Sequence, residues 1–320
     1  MKQKIIIILA LVLLLTLIAF MVKDFFFGKT ENTNPYEFEL SSVRTGDTTM
    51  AAYTETASFS TSLSEIHGLA TDAQGMIYVS GTDGVEIFDS VGKMLKKFNI
   101  SGTALSMAVG ENAKLFIGLP DHVELFETSG KLLASWKSFG PDAVLTSIAV
   151  KGNDVFVADA GQKVVYHCDL KGNVLNKIGL KDPAAGIPGF VVPSPYFDLA
   201  IASDGGLWVV NPGRHSFEKY SSDGTLQTSW SKASMAMEGF CGCCNPSNFA
   251  FLNDSMFVTS EKGIERVKIY SIDGRFLSIV ATPDQFDEGT TGLDLAVDRQ
   301  NRILVLDPAK MKVRIFEPKK

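Results

Sequence analysis

Three of the four cysteines of this 320-residue chain fall in one stretch, Cys241-Gly242-Cys243-Cys244. Three kinds of chemistry fit that spacing. In an oxidising compartment, Cys244 would form a structural disulfide with Cys241 or with Cys243, which leaves one clustered thiol unpaired. Soft thiolates would instead bind zinc or copper, with His215 as the best-placed histidine to join Cys241, Cys243 and Cys244. The third possibility is a redox-active dithiol whose thiolate is stabilised by a nearby cation.

A second group of candidates is polar and charged. Carboxylate and amide oxygens at Asp198, Asn248 and Asp294 would bind a hard cation such as calcium if they converged in a pocket. Lining of a solvated channel is the alternative for each of them alone. The charged candidates would bind an anion or lower a thiol pKa, or would only keep a surface soluble. They are Arg214, Glu261, Lys262 and Arg266.

A repeat predicts the elements that position these residues. Six short apolar runs each contain one alanine, and the intervals between the alanines are 38, 41, 51, 50 and 46 residues. Each alanine is followed by a second apolar run, a third run, a glycine turn and, in five repeats, a fourth run. Repeats of this length with four strand-like runs are typical of β-propeller blades. The alanines are Ala70, Ala108, Ala149, Ala200, Ala250 and Ala296.

The sixth repeat lacks its fourth run, because the given sequence ends four residues after Phe316. An additional strand-like segment precedes the first repeat, from Ala52 to Phe59. We therefore predict an all-β fold, a six-bladed β-propeller of four-stranded blades whose last blade is closed by this N-terminal strand. Cys168 occupies a position that is aromatic in the other repeats, so we expect it to be a buried core residue.

These repeats resemble the NHL-repeat family of six-bladed propellers. The segments that carry the resemblance are Ile148-Ala149-Val150 with Val155–Asp159, and Leu295–Asp298 with Val305-Leu306-Asp307. The resemblance covers roughly residues 64–320 and implies a binding platform, although relatives of similar shape include lactonases and a peptide-amidating lyase. No metal-ligand set of those enzymes matches this chain. The repeats also depart from the family pattern, in which an aspartate follows the second strand. Its place is taken by Gly81, Leu119, Asn211 and Ser260.

Propeller topology predicts which loops share a face. The loops that lead into the inner strands lie on the same face as those that join second and third strands. The longest of them are the segments 183–195, 238–246 and 283–291, which we call the long loops. The second of these is the cysteine loop. Arg214, Glu261, Lys262 and Arg266 lie in neighbouring loops of that face, and Asp198, Asn248 and Asp294 would line the channel beneath it.

The N-terminal segment predicts a membrane anchor. Residues 1–28 contain an uncharged apolar run, Ile5–Val22, that is long enough to span a bilayer. Lys2 and Lys4 precede the run, so the positive-inside rule predicts a cytoplasmic N-terminus and an exported propeller, periplasmic or extracellular. A cleaved signal peptide is the alternative. Residues 29–51 are polar and would form a tether, and 52–320 would form the propeller.

The charge of the exported part argues against a nucleic-acid partner. Without the charged residues of positions 1–29, the chain keeps 26 Lys and Arg against 35 Asp and Glu, a net charge of −9. The predicted partners are a protein, a peptide or a small ligand outside the cytoplasm, and the membrane through the N-terminal helix. We therefore predict a membrane-anchored binding platform that uses its long-loop face. The alternative is a metal- or thiol-dependent redox protein or enzyme that uses the Cys241–Cys244 cluster.

Overall fold

The computed structural model describes residues 2–27, 50–184 and 187–319. The chain divides into two compact units, Met1–Leu40 and Ser41–Lys320. The first contains a helix, α1, Lys2–Phe27. Over the residues that are described, no helix combines the length and the apolar character needed to cross a membrane. The predicted tether at 29–51 lies outside the described residues, apart from its last two positions.

The second unit is a six-bladed propeller, as the repeat predicted. Its described residues form 23 strands in six antiparallel sheets. Blade 1 contains β2 (Ile66–Thr71), β3 (Ile77–Phe88) and β4 (Met94–Thr103). Blade 2 contains β5 (Ser106–Val109), β6 (Leu115–Gly118), β7 (Val123–Phe126) and β8 (Leu132–Ser135). Blade 3 contains β9 (Leu145–Lys151), β10 (Asp154–Asp159), β11 (Val164–Cys168) and β12 (Val174–Ile178). In blade 1, β3 fills two strand positions, because its first half pairs with β2 and its second half with β4.

Blades 4 to 6 carry the long loops. Their strands are β13 (Leu199–Ile201), β14 (Leu207–Asn211), β15 (Ser216–Tyr220) and β16 (Leu226–Ser231); β17 (Asn248–Asn253), β18 (Met256–Ser260), β19 (Val267–Ser271) and β20 (Phe276–Ala281); and β21 (Leu295–Val297), β22 (Ile303–Asp307) and β23 (Lys312–Pro318) with β1 (Tyr53–Ser60). Each long loop leads into the inner strand of its blade, which is β13, β17 or β21.

The sixth blade is assembled from both ends of the propeller unit. Its strand order is β1-β23-β22-β21, and β1 runs antiparallel to β23 with Glu55 opposite Phe316. The segment from Ala52 to Phe59 therefore lies beside the last repeat, where the sequence placed it. The inner strands contact one another in order around the ring, and β21 contacts β2. That β1 holds the ring closed stays a prediction.

The second strands are covered on both sides, as their unbroken apolar runs predicted. Every residue of β6, β14 and β22 is buried, because blades pack face to face around the ring. Cys168 is fully buried in the cluster between blades 2 and 3. Burial raises the pKa of its thiol to about 12, so this cysteine is a core residue and carries no exposed thiol chemistry.

The glycine of the turn between third and fourth strands packs against the blade before it. Gly130 and Gly274 have φ angles of 84° and 88°, which favour glycine. A Cβ atom at Gly130 would lie 2.7 Å from Phe98, and one at Gly274 would lie 2.6 Å from Trp230. At these two positions glycine is thus required both by the conformation of the turn and by the aromatic side chain that covers it.

Candidate functional site

A cavity of about 990 Å3 lies between the six inner strands. Its wall includes five of the six residues that lie two positions before a repeat alanine, as strand alternation predicted. Those that line it are Ser106, Ser147, Asp198, Asn248 and Asp294. At the long-loop end the wall also includes Pro195, the last residue of the first long loop, Tyr196 directly after it, and Thr291 from the third long loop. The predicted polar residues are therefore brought together under the long loops.

The two carboxylates in the cavity connect neighbouring inner strands. The Asp198 carboxylate accepts hydrogen bonds from the backbone N–H groups of Leu199 and Phe249, both at 2.8 Å. The Asp294 carboxylate accepts them from Leu69 at 2.7 Å and Leu295 at 2.8 Å. Each side chain therefore spans the seam between its own blade and the next. From the sequence, these residues were expected to hold a ligand or to line the channel; their role in joining neighbouring blades was not predicted.

Asn248 lies between the two carboxylates along the ring. Its Nδ2 donates a 3.5 Å hydrogen bond to Asp294 Oδ1, while its buried Oδ1 accepts no hydrogen bond within the described part of the chain. Burial raises the pKa of Asp294 to about 8, and the charge of Asp198 adds to the effect. Burial also raises the pKa of Asp198 to about 6, although hydrogen bonds from Ser147, Phe249 and Leu199 oppose it.

The raised pKa of Asp294 predicts a specific pH dependence. A carboxyl whose folded pKa lies above its unfolded value stabilises the fold fully below the unfolded pKa, and this contribution is lost as pH rises toward the folded pKa. The window runs from about pH 4 to about pH 8. Wild-type thermal stability should therefore fall more steeply between pH 5 and pH 8 than that of Asp294→Asn, measured by circular dichroism. Asp254→Asn, on an exposed loop, should follow wild type; equal slopes for Asp294→Asn and wild type would contradict the prediction.

The cysteine loop is held by a buried ion cluster. Glu261 Oε2 lies 2.9 Å from Arg266 Nη2, and Glu261 Oε1 lies 2.6 Å from Lys268 Nζ; all three side chains have no exposed area. Lys268 Nζ donates hydrogen bonds to the carbonyl oxygens of Gly239 at 2.6 Å and Met237 at 3.1 Å. The cluster thus fixes the backbone that leads into Cys241. Burial lowers the pKa of Lys268 to about 8, against the opposing charge of Glu261.

Asn245 connects the cysteine loop to the loop between β18 and β19. Its Nδ2 donates to the carbonyl oxygens of Cys241 at 2.7 Å and Lys262 at 2.9 Å, and its Oδ1 accepts from the Lys262 N–H at 3.0 Å. The Nδ1 atom of His215 lies 2.8 Å from the Asn245 carbonyl oxygen. Three chain segments of the long-loop face therefore meet at this buried asparagine.

The clustered thiols occupy two different environments. The sulphur atoms of Cys243 and Cys244 lie 3.0 Å apart, with Cys243 exposed and Cys244 buried. Cys241 is also buried, and its sulphur lies 3.8 Å from Arg266 Nη2. Burial raises the pKa of Cys241, with the charge of Glu261 adding to it.

Ionisation differs between the two adjacent thiols. Burial opposes ionisation of Cys244, but the hydrogen bond from Cys243 and the charge of Lys262 help to outweigh it and lower the pKa. The pKa of Cys243 is raised, chiefly by its hydrogen bond with Cys244. The ammonium of Lys262 also lies 4.8 Å from the centre of the Tyr196 ring. Residues of the first long loop, the cysteine loop and the β18–β19 loop thus form one surface beside the cavity.

The first long loop is held by polar side chains buried in blade 4. Asn211 Oδ1 accepts a 2.9 Å hydrogen bond from the Val191 N–H, and Asn211 Nδ2 donates to Glu218 Oε1 at 2.8 Å. Glu218 Oε2 in turn accepts from the Tyr220 hydroxyl at 2.6 Å. Asn211 stands where the NHL pattern has aspartate, so this position serves to bind the backbone of an adjacent loop.

The third long loop is held in the same way in blade 6. The Arg314 guanidinium contacts Asp307 at 3.3 Å and donates a 2.8 Å hydrogen bond to the Gln285 carbonyl oxygen. It also lies 4.8 Å from the centre of the Phe286 ring and forms a 2.5 Å ion pair with Glu55 of β1. Each of the three long loops is therefore fixed by buried polar or charged side chains from its own blade.

These placements divide the predicted residues into two sets. Glu261 and Arg266, predicted to bind a ligand, are buried and bind each other, so neither presents its charge to the surface. Lys262 and the exposed Arg214 remain on the face. The site residues predicted from the sequence did not include Lys268, Asn245 or Tyr196. The available signal for Lys268 was a lysine inside the apolar run Val267–Tyr270, where a charged side chain needs a buried partner.

The described residues contain no group of three or more His, Cys, Asp or Glu side chains placed to hold a metal ion. The zinc, copper or calcium site that the sequence suggested at Cys241, Cys243, Cys244 and His215, or in the channel, therefore stays a prediction. The metal content of protein purified without chelators would test it.

Comparison with known proteins supports the fold. No protein-family model matches the sequence, and no curated protein matches it. Among solved structures, the chain is similar to a streptogramin B lyase, with 11% identity and a TM-score of 0.58 over 83% of this chain and 98% of the lyase. It is similar to the selenomethionine-substituted virginiamycin B lyase from Staphylococcus aureus, with 10% identity and a TM-score of 0.57 over 83% of this chain and all of the lyase.

A third similar structure is the WD40 propeller domain of Doa1, with 13% identity and a TM-score of 0.57 over 80% of this chain and 79% of that one. At these identities the likeness establishes a β-propeller and carries no activity across. Membership of the NHL family, predicted from the repeat pattern, is not established by these matches and stays a prediction.

Proposed function

We propose that this propeller is a binding platform that takes a ligand or partner on its long-loop face, over the mouth of the central cavity. The observation that supports this most is the fixing of all three long loops by buried polar or charged side chains around one opening. Loops on a rigid scaffold are the usual location of binding residues. A surface whose backbone is already ordered loses less entropy when it binds.

The chemistry of the cavity favours a hydrogen-bond-donating group on that ligand, and a cationic group would in addition draw Asp294, whose pKa burial raises to about 8, into its charged form. Asp198, Asp294 and the free Oδ1 of Asn248 are acceptors in the wall of the cavity. A carboxylate oxygen that accepts one backbone N–H retains a second lone pair. The remaining wall is mixed, with the repeat alanines beside polar residues such as Thr146 and Lys151, and the cavity volume of about 990 Å3 is at the upper end of the range for small-molecule sites. A peptide or protein that inserts one basic side chain would satisfy the same features.

Site-specific photo-crosslinking in cells that produce the full chain tests the choice of face. A photoreactive residue would replace Arg214 or Glu288 on the long-loop face, or Asp223 or Asp273 in the hairpin turns of the opposite face. All four positions are exposed. We expect discrete adducts from the first pair and none from the second. Adducts from both faces alike, or unchanged adducts after alanine substitution across 187–195 and 283–291, would contradict the proposal.

We also propose that the N-terminal segment anchors the chain to a membrane, with the propeller on the extracytoplasmic side. The support is the uncharged run Ile5–Val22 and the lysines before it. The full chain should stay in the membrane pellet after alkaline carbonate extraction, and a chain without residues 2–27 should be released. External protease should cleave the propeller in spheroplasts. Release of the full chain by carbonate would refute the anchor. A propeller protected from external protease would refute the orientation.

A further inference from the structure

The adjacent cysteines of the second long loop form a thiol pair of their own. Their sulphur atoms lie 3.0 Å apart, while Cys241 directs its sulphur toward Arg266 at 3.8 Å. The odd number of clustered cysteines is thereby divided, with Cys243 and Cys244 together and Cys241 among the buried charges. Exposure divides the pair further, because Cys243 is accessible and only 1% of Cys244 is exposed.

The loop does not require a disulfide to hold its shape. Asn245 Nδ2 donates hydrogen bonds to the carbonyl oxygens of Cys241 and Lys262, and Lys268 Nζ donates one to the carbonyl oxygen of Gly239. Gly242, with a φ of 77°, permits the turn between Cys241 and Cys243. A structural disulfide would add a constraint that these hydrogen bonds already supply. The pair is therefore free to serve a chemical role.

A disulfide between adjacent residues is also a poor structural staple. Consecutive Cα atoms are about 3.8 Å apart across a trans peptide, below the separation of about 4.4–6.8 Å usual for disulfides. Strain of this kind makes a disulfide easier to reduce, and strained or exposed disulfides are the labile ones. A Cys243–Cys244 bond would thus form and break within the range of reduction potentials that small thiols set.

We propose that Cys243 and Cys244 form a reversible thiol–disulfide exchange site for disulfide and thiol compounds that reach the long-loop face. The Cys243 thiol releases its proton, and its sulphur attacks one sulphur of a substrate disulfide; that S–S bond breaks, and the first substrate thiolate leaves and takes up a proton. The Cys244 thiol then releases its proton and attacks Cys243 Sγ, the Cys243–Cys244 bond forms, and the second substrate thiolate leaves and takes up a proton. Two electrons pass from the cysteine pair to the substrate disulfide, which becomes two thiols. The reverse sequence restores the pair.

The order of the two steps follows from access. An external disulfide reaches Cys243 and is excluded from Cys244, whereas Cys244 contacts the sulphur of Cys243 directly. Cys243 is therefore the entering nucleophile, and Cys244 is the resolving thiol. This role is independent of the proposed ligand binding in the cavity, because it requires neither Asp198 nor Asp294.

Exchange with glutathione tests the proposal. The full chain would be equilibrated with mixtures of reduced and oxidised glutathione, quenched by acid and alkylated, and each cysteine would be assigned by fragmentation mass spectrometry. We expect the Cys243–Cys244 bond to follow the glutathione ratio reversibly, with Cys241 and Cys168 alkylated throughout. A Cys241–Cys244 bond, or a Cys243–Cys244 bond that excess reduced glutathione leaves intact, would overturn the proposal.

Single substitutions separate the two steps. In Cys244→Ser, one glutathione should remain bound at Cys243, because no thiol is present to release it. In Cys243→Ser, glutathione uptake should be lost, and Cys241→Ser should exchange as wild type does. Circular dichroism melts would confirm that each variant is folded, and the wild-type equilibrium decides the question if one is not. Glutathione found on Cys244 in folded Cys243→Ser would refute the assigned order.

Discussion

Replacing Glu261 with glutamine should lower the free energy of unfolding by about 3–5 kcal/mol, the range measured when one partner of a buried ion pair is removed. The reason lies in the charge balance of the cluster. Glu261 is the shared counterion of Arg266 and Lys268, and all three side chains have no exposed area. Glutamine keeps the shape of the side chain and removes the negative charge. The two buried cations, Arg266 and Lys268, then lack their counterion. Equilibrium unfolding in urea, followed by circular dichroism, measures the loss.

Two further variants make the Glu261 result specific. Glu238→Gln changes an exposed glutamate next to the cysteine loop, and it should alter stability by less than about 0.5 kcal/mol. Lys268→Met should cost less than Glu261→Gln, because it leaves the Glu261–Arg266 pair neutral. If Glu261→Gln cost no more than Glu238→Gln, the cluster would not be what holds this loop.

Deleting residues 50–60 should produce the other large effect, a strongly lowered melting temperature accompanied by self-association. The deletion removes β1 and leaves the hydrogen-bonding edge of β23 without a partner, and such an edge is a template for pairing with another chain. It also removes Glu55, which forms a 2.5 Å ion pair with Arg314. Thermal melts and size-exclusion chromatography would record both changes.

An equal deletion from the polar segment, residues 32–42, is the matched control and should leave the melting temperature unchanged. Glu55→Gln separates the ion pair from the strand, and it should cost less than the whole deletion because the β1–β23 backbone pairing remains. A melting temperature unaffected by loss of residues 50–60 would show that β1 does not hold the ring closed.

Sequence patterns predicted the fold in some detail, because the repeat constrains it many times over. The six alanines, the glycine turns and the additional strand-like segment from Ala52 to Phe59 were sufficient to place the blades and the strand beside β23. The same register placed Asp198, Asn248 and Asp294 on the cavity wall, since two positions along a strand return to the same face. These inferences needed only periodicity, which is local information.

The roles of the polar residues were harder to predict, because they depend on contacts between distant segments. Asp294 binds the backbone of Leu69, which lies 225 positions away along the chain. Glu261 and Arg266 looked like residues of an exposed loop, yet they turn inward because Lys268 and the carbonyl oxygens of the cysteine loop complete their hydrogen bonding. The spacing of the three clustered cysteines left their pairing open, whereas the buried arginine beside Cys241 separates it from the other two.

A crystallographic fragment screen of the full chain tests the central claim most directly, since it locates binding sites without knowledge of the natural ligand. We expect fragments, above all those with a basic nitrogen, to collect at the mouth of the cavity beside Tyr196, Asp198 and Asp294. Fragments that collect on the hairpin face, with the cavity mouth empty, would contradict the claim that the long loops form the binding surface.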